Sequence, residues 1–325
     1  MGIKKEETEM KIRANSGFTL VELVVAIALG LVILAGLFQT FRTQHDTYIV
    51  QDQVAAMQQN LRAAMYLITR DLQMAGWYTN FERNNRTIDL GDDLGERTGR
   101  ALFFSEDNSS GGDDGTIRQG TDALVIVKAG NESQTLTGGE SASGALISLS
   151  TRDLGSGAAD LDNNAKKYGL LVKSDLRAAD LFVVDTPSGP ITNEWDLNED
   201  YLSGDLVFRA DIIIYKIEDD GGRPMLRRKN LGNDNGYQVV AENIENMQVR
   251  YQLSNGNWVD EVTNNQAQVR AVEVILVGRT AQRQRGYTDT NTYDFANNTG
   301  ALQNPNDNFR RKVLSNIVKT RNVGL

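Results

Sequence analysis

From Phe18 to Phe38 the chain runs for 21 residues with a single ionisable side chain, Glu22. As a helix rising about 1.5 Å per residue, the run reaches roughly 30 Å, enough to cross the hydrocarbon core of a bilayer. An ordinary secretory signal has a shorter apolar core followed by a small-residue cleavage site, whereas here Gln39, Arg42, Gln44 and His45 come straight after. Ahead of the run, Lys4, Lys5, Lys11 and Arg13 stand against Glu6, Glu7 and Glu9. Lys11 and Arg13 mark the flank that stays cytoplasmic, so the bulk of the chain is expected outside the inner membrane. An acid inside such a run costs on the order of 2.5–3.5 kcal/mol at mid-bilayer, and ionisable groups there generally have a function. The competing reading of Glu22 is a carboxylate near the lipid interface that simply tolerates water.

The junction reads Ser16-Gly17-Phe18-Thr19-Leu20-Val21-Glu22-Leu23. With the charged leader before it and the apolar run after it, this string resembles the type III signal of type IV pilin-like proteins. The resemblance implies cleavage between Gly17 and Phe18 by a membrane-embedded prepilin peptidase and methylation of the new N-terminal Phe18. It also implies that residues 18–38 stay as membrane anchor and fibre core. Glu22 would pair with the N-terminal amine of a neighbouring subunit and set the stagger between subunits. Many major pilins have a Pro where Gln39 stands, and its absence, together with the 308 residues left after residue 17, favours a low-copy subunit over the repeated shaft.

Helical periodicity continues beyond the apolar run. Val50, Val54, Met57, Leu61, Ala64, Ile68 and Leu72 recur at three- and four-residue steps, one apolar stripe on an amphipathic helix. No Pro interrupts residues 18–75, so one helix of nearly 90 Å is predicted at about 1.5 Å per residue, its second half packed on a head. Gly76 is placed as the C-cap, and Asp52, Arg62, Arg70 and Asp71 are read as the wet face. A coiled coil is the competing use of the stripe, but only about three heptads hold. The segment Gln58 to Trp77, with Gln58, Asn60, Arg62 and Arg70-Asp71-Leu72-Gln73-Met74-Ala75-Gly76, resembles the PilW minor pilins and more loosely the J-type pseudopilins of type II secretion. By that resemblance Arg70 and Asp71 turn back toward the head or a neighbouring pilin.

After Trp77 the pattern changes to short β runs between Gly, Asn and Asp. Strands are predicted over 124–128, 145–149, 170–173, 181–185, 206–208, 212–217, 225–229, 247–253, 271–277 and 313–319. Several are continuously apolar and should be covered on both faces, by the helix and by a second β layer. Short loops and the lack of crossover helices predict antiparallel pairing. Asp219-Asp220-Gly221-Gly222 and Asn255-Gly256 read as hairpin turns. Gln119 to Ile126, Glu242 to Tyr251 and the basic C-terminal segment from Phe309 to Asn322 extend the resemblance to PilW. The fold class expected is α+β: a leader at 1–17, a helix at 18–76 and a mostly antiparallel β-rich head at 77–325.

Composition removes several function classes. The formal charge is −9, and loss of four cations and three anions with the leader leaves −10. This argues against general nucleic-acid binding. There is no Cys, hence no disulfide framework and no thiolate. His45 is the only histidine and lacks a nucleophile at any recognisable spacing, so no catalytic residue is assigned and the residue is placed on an exposed helical face. Acidic runs at Glu106-Asp107, Asp113-Asp114, Asp160 to Asn164 and Asn233 to Asn235 offer oxygen ligands to calcium, but Ala165 and Leu171 stand where an EF-hand loop needs Gly and Glu. No metal or cofactor is therefore assigned. The basic C-terminal run, including Arg310, Arg311 and Lys312, is read as an edge strand protected by charge rather than a DNA or acidic-partner contact.

Together these point to a minor pilin cut by prepilin peptidase and carried in low copy in a type IV pilus, at its tip or in priming. Its partners would be other minor and major pilins and the inner-membrane assembly platform. Its processing residues would be Gly17 and Phe18, its register residue Glu22, and its helix-packing residues Val54, Met57, Leu61, Ile68 and Leu72. A type II secretion pseudopilin and a membrane-anchored periplasmic binding domain are the alternatives.

Overall fold

The computed structural model describes residues 17–76, 86–89, 94, 96–99, 103–107, 117–136, 146–147, 167–184, 191–192, 197, 200–231, 236–260, 262, 268–295, 298–303 and 305–322. The leader up to Ser16 and the acidic runs at 113–114, 160–164 and 233–235 lie outside these residues. Two compact units divide the chain after Asp52. One helix, α1 (Leu20–Gln73), contributes to both.

In the first unit α1 is apolar on every side up to Phe38, apart from Glu22. Its most apolar stretch has a mean hydropathy of 2.8 with none of it buried, long and apolar enough to cross a membrane. Just beyond that stretch three hydroxyls satisfy themselves on carbonyls four residues back: Thr40 on Gly36 at 3.0 Å, Thr43 on Gln39 at 3.0 Å and Thr47 on Thr43 at 2.8 Å. His45 and Asp52 are exposed.

In the second unit α1 is amphipathic. Met57, Leu61, Ala64, Ile68 and Leu72 are buried and Val54 packs at the margin, while Arg62 and Arg70 remain exposed. Fully burying each large aliphatic is worth about 1.5–3 kcal/mol. Asp71 departs from the wet face read from periodicity and turns into the head, as the resemblance implied for it: it is 3% exposed, because Tyr215 and Arg228 supply it with donors, whereas Arg70 stays exposed. The helix ends in a tighter turn, Met74 and Ala75 donating to carbonyls three residues back. Gly76 takes the expected positive φ of 73°, but its N–H leaves the helix and donates to Val127 O at 3.0 Å.

Seventeen strands follow in the described residues. They are β1 (Arg86–Asp89), β2 (Glu96–Gly99), β3 (Phe103–Asp107), β4 (Asp122–Thr135), β5 (Leu146–Ile147) and β6 (Lys167–Val172). Next come β7 (Ala179–Val184), β8 (Ile191–Thr192), β9 (Leu206–Asp220), β10 (Arg223–Asn230), β11 (Gln238–Glu242) and β12 (Ile244–Leu253). The last are β13 (Trp258–Val259), β14 (Val269–Arg279), β15 (Thr292–Phe295), β16 (Asn298–Gln303) and β17 (Arg311–Lys319). Every pairing among them is antiparallel, as expected from short connections.

The larger sheet runs β11-β10-β9-β4-β3, with β6 alongside the first half of β9 and β7 beyond it. β9 merges the two separate strands expected at 206–208 and 212–217. The polar interruption Arg209-Ala210-Asp211 does not break it because Asp211 accepts from Arg209 at 3.1 Å and from Asn230 at 3.1 Å. β9 turns into β10 through Gly221-Gly222, with φ of 58° and 82°, a two-residue turn of the primed kind. The smaller sheet is β13-β12-β14-β17, and Asn255-Gly256 lies in the turn between β12 and β13.

Both sheets close on the second half of α1. Its buried face meets Leu124 and Ile126 of β4, Ile213 and Tyr215 of β9, Met247 and Val249 of β12, and Val274 and Leu276 of β14. The far face of the larger sheet is buried too, Val125, Val127, Ile212 and Ile214 clustering with Leu170, Val172 and Leu181 of β6 and β7, which continue the same sheet. Phe295 of β15 covers Ile275 and Val277 on the far face of the smaller sheet. The apolar stripe thus serves the head rather than a coiled coil.

Candidate functional site

Two regions hold the residues singled out in the sequence, one in each unit. In the first, Gly17 and Phe18 lead directly into the helix, Phe18 being 85% exposed. Thr19 is the N-cap. Its hydroxyl accepts from the Glu22 N–H at 3.3 Å, and the Glu22 carboxylate accepts from the Thr19 N–H at 3.0 Å and from its hydroxyl at 2.9 Å. This is a capping box, which satisfies two otherwise orphaned donors and brings an acid to the positive end of the helix dipole. The signal, Thr-x-x-Glu before an apolar run, is present in the sequence, although charge and position alone suggested only a partner for Glu22.

In the second unit the helix is fixed to the head by polar contacts as well as apolar ones. The Tyr215 hydroxyl donates to Asp71 at 2.6 Å and Arg228 Nε donates to the same oxygen at 2.9 Å. Burial and the adjacent carboxylate of Asp71 push the Tyr215 hydroxyl far above its ordinary range, so it stays a donor. Gly278 on β14 lies under Leu61, and a Cβ there would come within 2.8 Å of Leu61 Cγ. Asn316 donates to Thr69 Oγ1 at 2.9 Å, tying β17 to the same helix.

The structure brings together two segments that stood apart as motifs in the sequence. Asp122 accepts from the Val249 N–H at 2.7 Å, while Asn246 and Gln248 donate to Gly120 O at 3.0 and 2.9 Å. The turn entering β4 therefore clamps β12 and joins the two sheets. Arg311 forms the other junction. Its side chain is 1% exposed and reaches Asp289 at 3.1 Å, Asp307 at 2.7 Å and both oxygens of Glu245. Arg311 is thus no part of the exposed basic edge expected of the C-terminal run. Lys312 and Lys319 remain exposed, and β17 is an edge strand as predicted. Burial alone would raise the Asp289 carboxyl, but bonds from Tyr293, Asn291 and Arg311 hold it below its ordinary value. No pattern of spacing could have exposed this cluster, since its members come from three separate parts of the chain.

Comparison with known proteins agrees with both regions. The prokaryotic N-terminal methylation motif matches residues 12–38. The family described as Type IV Pilus-assembly protein W (PilW) matches residues 214–322, which include Tyr215, Arg228, β12, β14 and β17. No curated protein sequence matches the chain. Among solved structures a type IV-like pilin from Thermus thermophilus is similar, with 12% identity over 82% of this chain and 97% of its own and a TM-score of 0.35, a likeness too loose to argue from. An N-terminal methylation motif followed by a PilW domain in one chain supports a type IV pilus minor pilin of the PilW type.

Proposed function

We propose that this minor pilin is held in the inner membrane by residues 18–38 with its head on the periplasmic side. A prepilin peptidase cuts between Gly17 and Phe18, Phe18 is methylated, and the mature chain enters a type IV pilus in low copy to prime assembly or complete the tip. The observation that carries this reading is the coincidence of the methylation motif at 12–38 with a helix capped two residues after the cut. The work is recognition and carries no bond-making step of its own: α1 inserts among other pilin helices, Glu22 sets axial register against a neighbour's N-terminal amine, and the head docks to other pilins. The assembly platform and peptidase are separate partners.

The direct test is intact-mass and N-terminal analysis of membrane-extracted protein, with and without co-expressed prepilin peptidase. Loss of residues 1–17 and a methylated Phe18 are expected with the peptidase alone. An intact Met1 start, beside a control substrate that is cut, would leave a signal-anchored domain instead.

A further inference from the structure

β17 is the outer strand of the smaller sheet, and its backbone parity is readable from the ladder. Thr280 donates to Arg310 O and Thr320 to Arg270 O, so even-numbered residues of this segment face β14. In an antiparallel pair the alternate residues then direct their N–H and C=O groups away from the partner. Val313, Ser315 and Ile317 accordingly present theirs to the open edge, where no described strand pairs. Beside that edge an open groove of about 270 Å³ is lined by Arg62, Met65, Tyr66, Thr69, Leu314 and Asn316. Tyr66 is 66% exposed and Ile317 53%.

Long exposed edges are normally blunted, because they template pairing with another chain. Here the protection is one-signed. Helix residues 62–70 and strand residues 311–319 contain no acid, and Arg62, Arg70, Lys312, Lys319 and Arg321 are exposed, in a chain whose net charge is −9. Such an edge repels a copy of its own kind and attracts an acidic strand, whose alternate apolar side chains would fill the groove.

We infer that the open edge of β17 accepts, by strand addition, an extended acidic segment of a different pilin-type subunit. The inference rests on the minor-pilin reading and identifies the surface by which the head docks. The chain has no Cys, so Ile317→Cys offers a single attachment point for a photo-reactive maleimide in the full-length protein, in membranes of a piliated host. The expected product is an adduct with another pilin-type subunit, mapped by mass spectrometry to an extended acidic peptide. Val239→Cys, on the exposed edge strand β11, should not give it.

Two variants test the mode. Val313→Pro removes an outward N–H without touching the β14 ladder and should cut adduct yield by about two- to tenfold, the loss expected of one hydrogen bond. Lys312→Glu with Lys319→Glu should cut it further, and both should melt as the parent does. A copy-to-copy adduct, an adduct to a non-pilin protein, equal labelling from Val239→Cys, or no adduct from a folded protein would each overturn the inference. The N-terminus of the same sample separates the two failures: a methylated Phe18 without an adduct sinks only the docking surface, whereas an uncut Gly17 removes the minor-pilin reading and the docking with it.

Discussion

At Glu22 one carboxylate closes the helix cap with Thr19 and is also the only charge in the apolar run. Gln at the same position keeps a capping box but carries no charge. Glu22→Gln is therefore expected to leave membrane insertion and cleavage after Gly17 intact while incorporation into pili falls, measured by the ratio of sheared to membrane-bound protein. Equal incorporation would mean that the cap alone is what the acid serves. At Arg311 the test is stability. Arg311→Met leaves Glu245, Asp289 and Asp307 facing one another without their shared cation, at a cost of about 3–5 kcal/mol in denaturant unfolding of the head. The same cluster sets an acid limit. Hydrogen bonds from Arg311 hold the Asp307 carboxyl below its ordinary value. A carboxyl lowered in the folded state adds stability that is full above its unfolded value, about 3.9, and is lost as pH falls through the folded value. The denaturation midpoint should thus be level from pH 7 to about 5 and drop below about 4. Asp307→Asn should start lower and drop less.

Among elements, the contact of α1 with β14 is the tightest point. A Cβ on Gly278 would meet Leu61 Cγ at 2.8 Å, so Gly278→Ala overpacks the junction and should cost about 1–3 kcal/mol. Leu61→Ala empties it and should cost about 2–5 kcal/mol. Combined, the two should cost less than their sum, because the new methyl occupies space the leucine vacates, and a double-mutant cycle by thermal unfolding reads the difference. Additive costs would show that the helix is not seated on β14. How far each element was legible follows from its chemistry. β4 and β14 announce themselves as largely β-branched apolar runs buried on both faces, and β12 by the alternation of Met247, Val249, Tyr251 and Leu253 with Gln248, Arg250 and Gln252. β11, β15 and β16 are short and mixed in composition, and pairing rather than propensity makes them strands. The join within β9 escaped because Arg209 and Asp211 read as a break until Asp211's partners on the neighbouring strands, Asn230 and Lys128, are known.

For the whole molecule, the acidic balance, the absent Cys and an apolar run long enough to cross a membrane follow from composition without any knowledge of contacts. The anchor, the signal and the amphipathic stripe are local, periodic patterns, and a 3.6-residue repeat is visible in one dimension. The polar junctions are not local. Asp71 meets Arg228 across 157 positions, and Asn316 meets Thr69 across 247. Whether a charged residue faces water or a buried partner depends on which distant partner the fold delivers to it, so periodicity put Asp71 on the wet face and the basic run put Arg311 on an exposed edge, yet both are interior in the head. The sequence by itself determined the apolar span, the methylation motif, the helix and the order of the apolar strands. Only the tertiary structure decided which charges are buried and which strand edge stays open, because both depend on contacts between residues far apart in the chain.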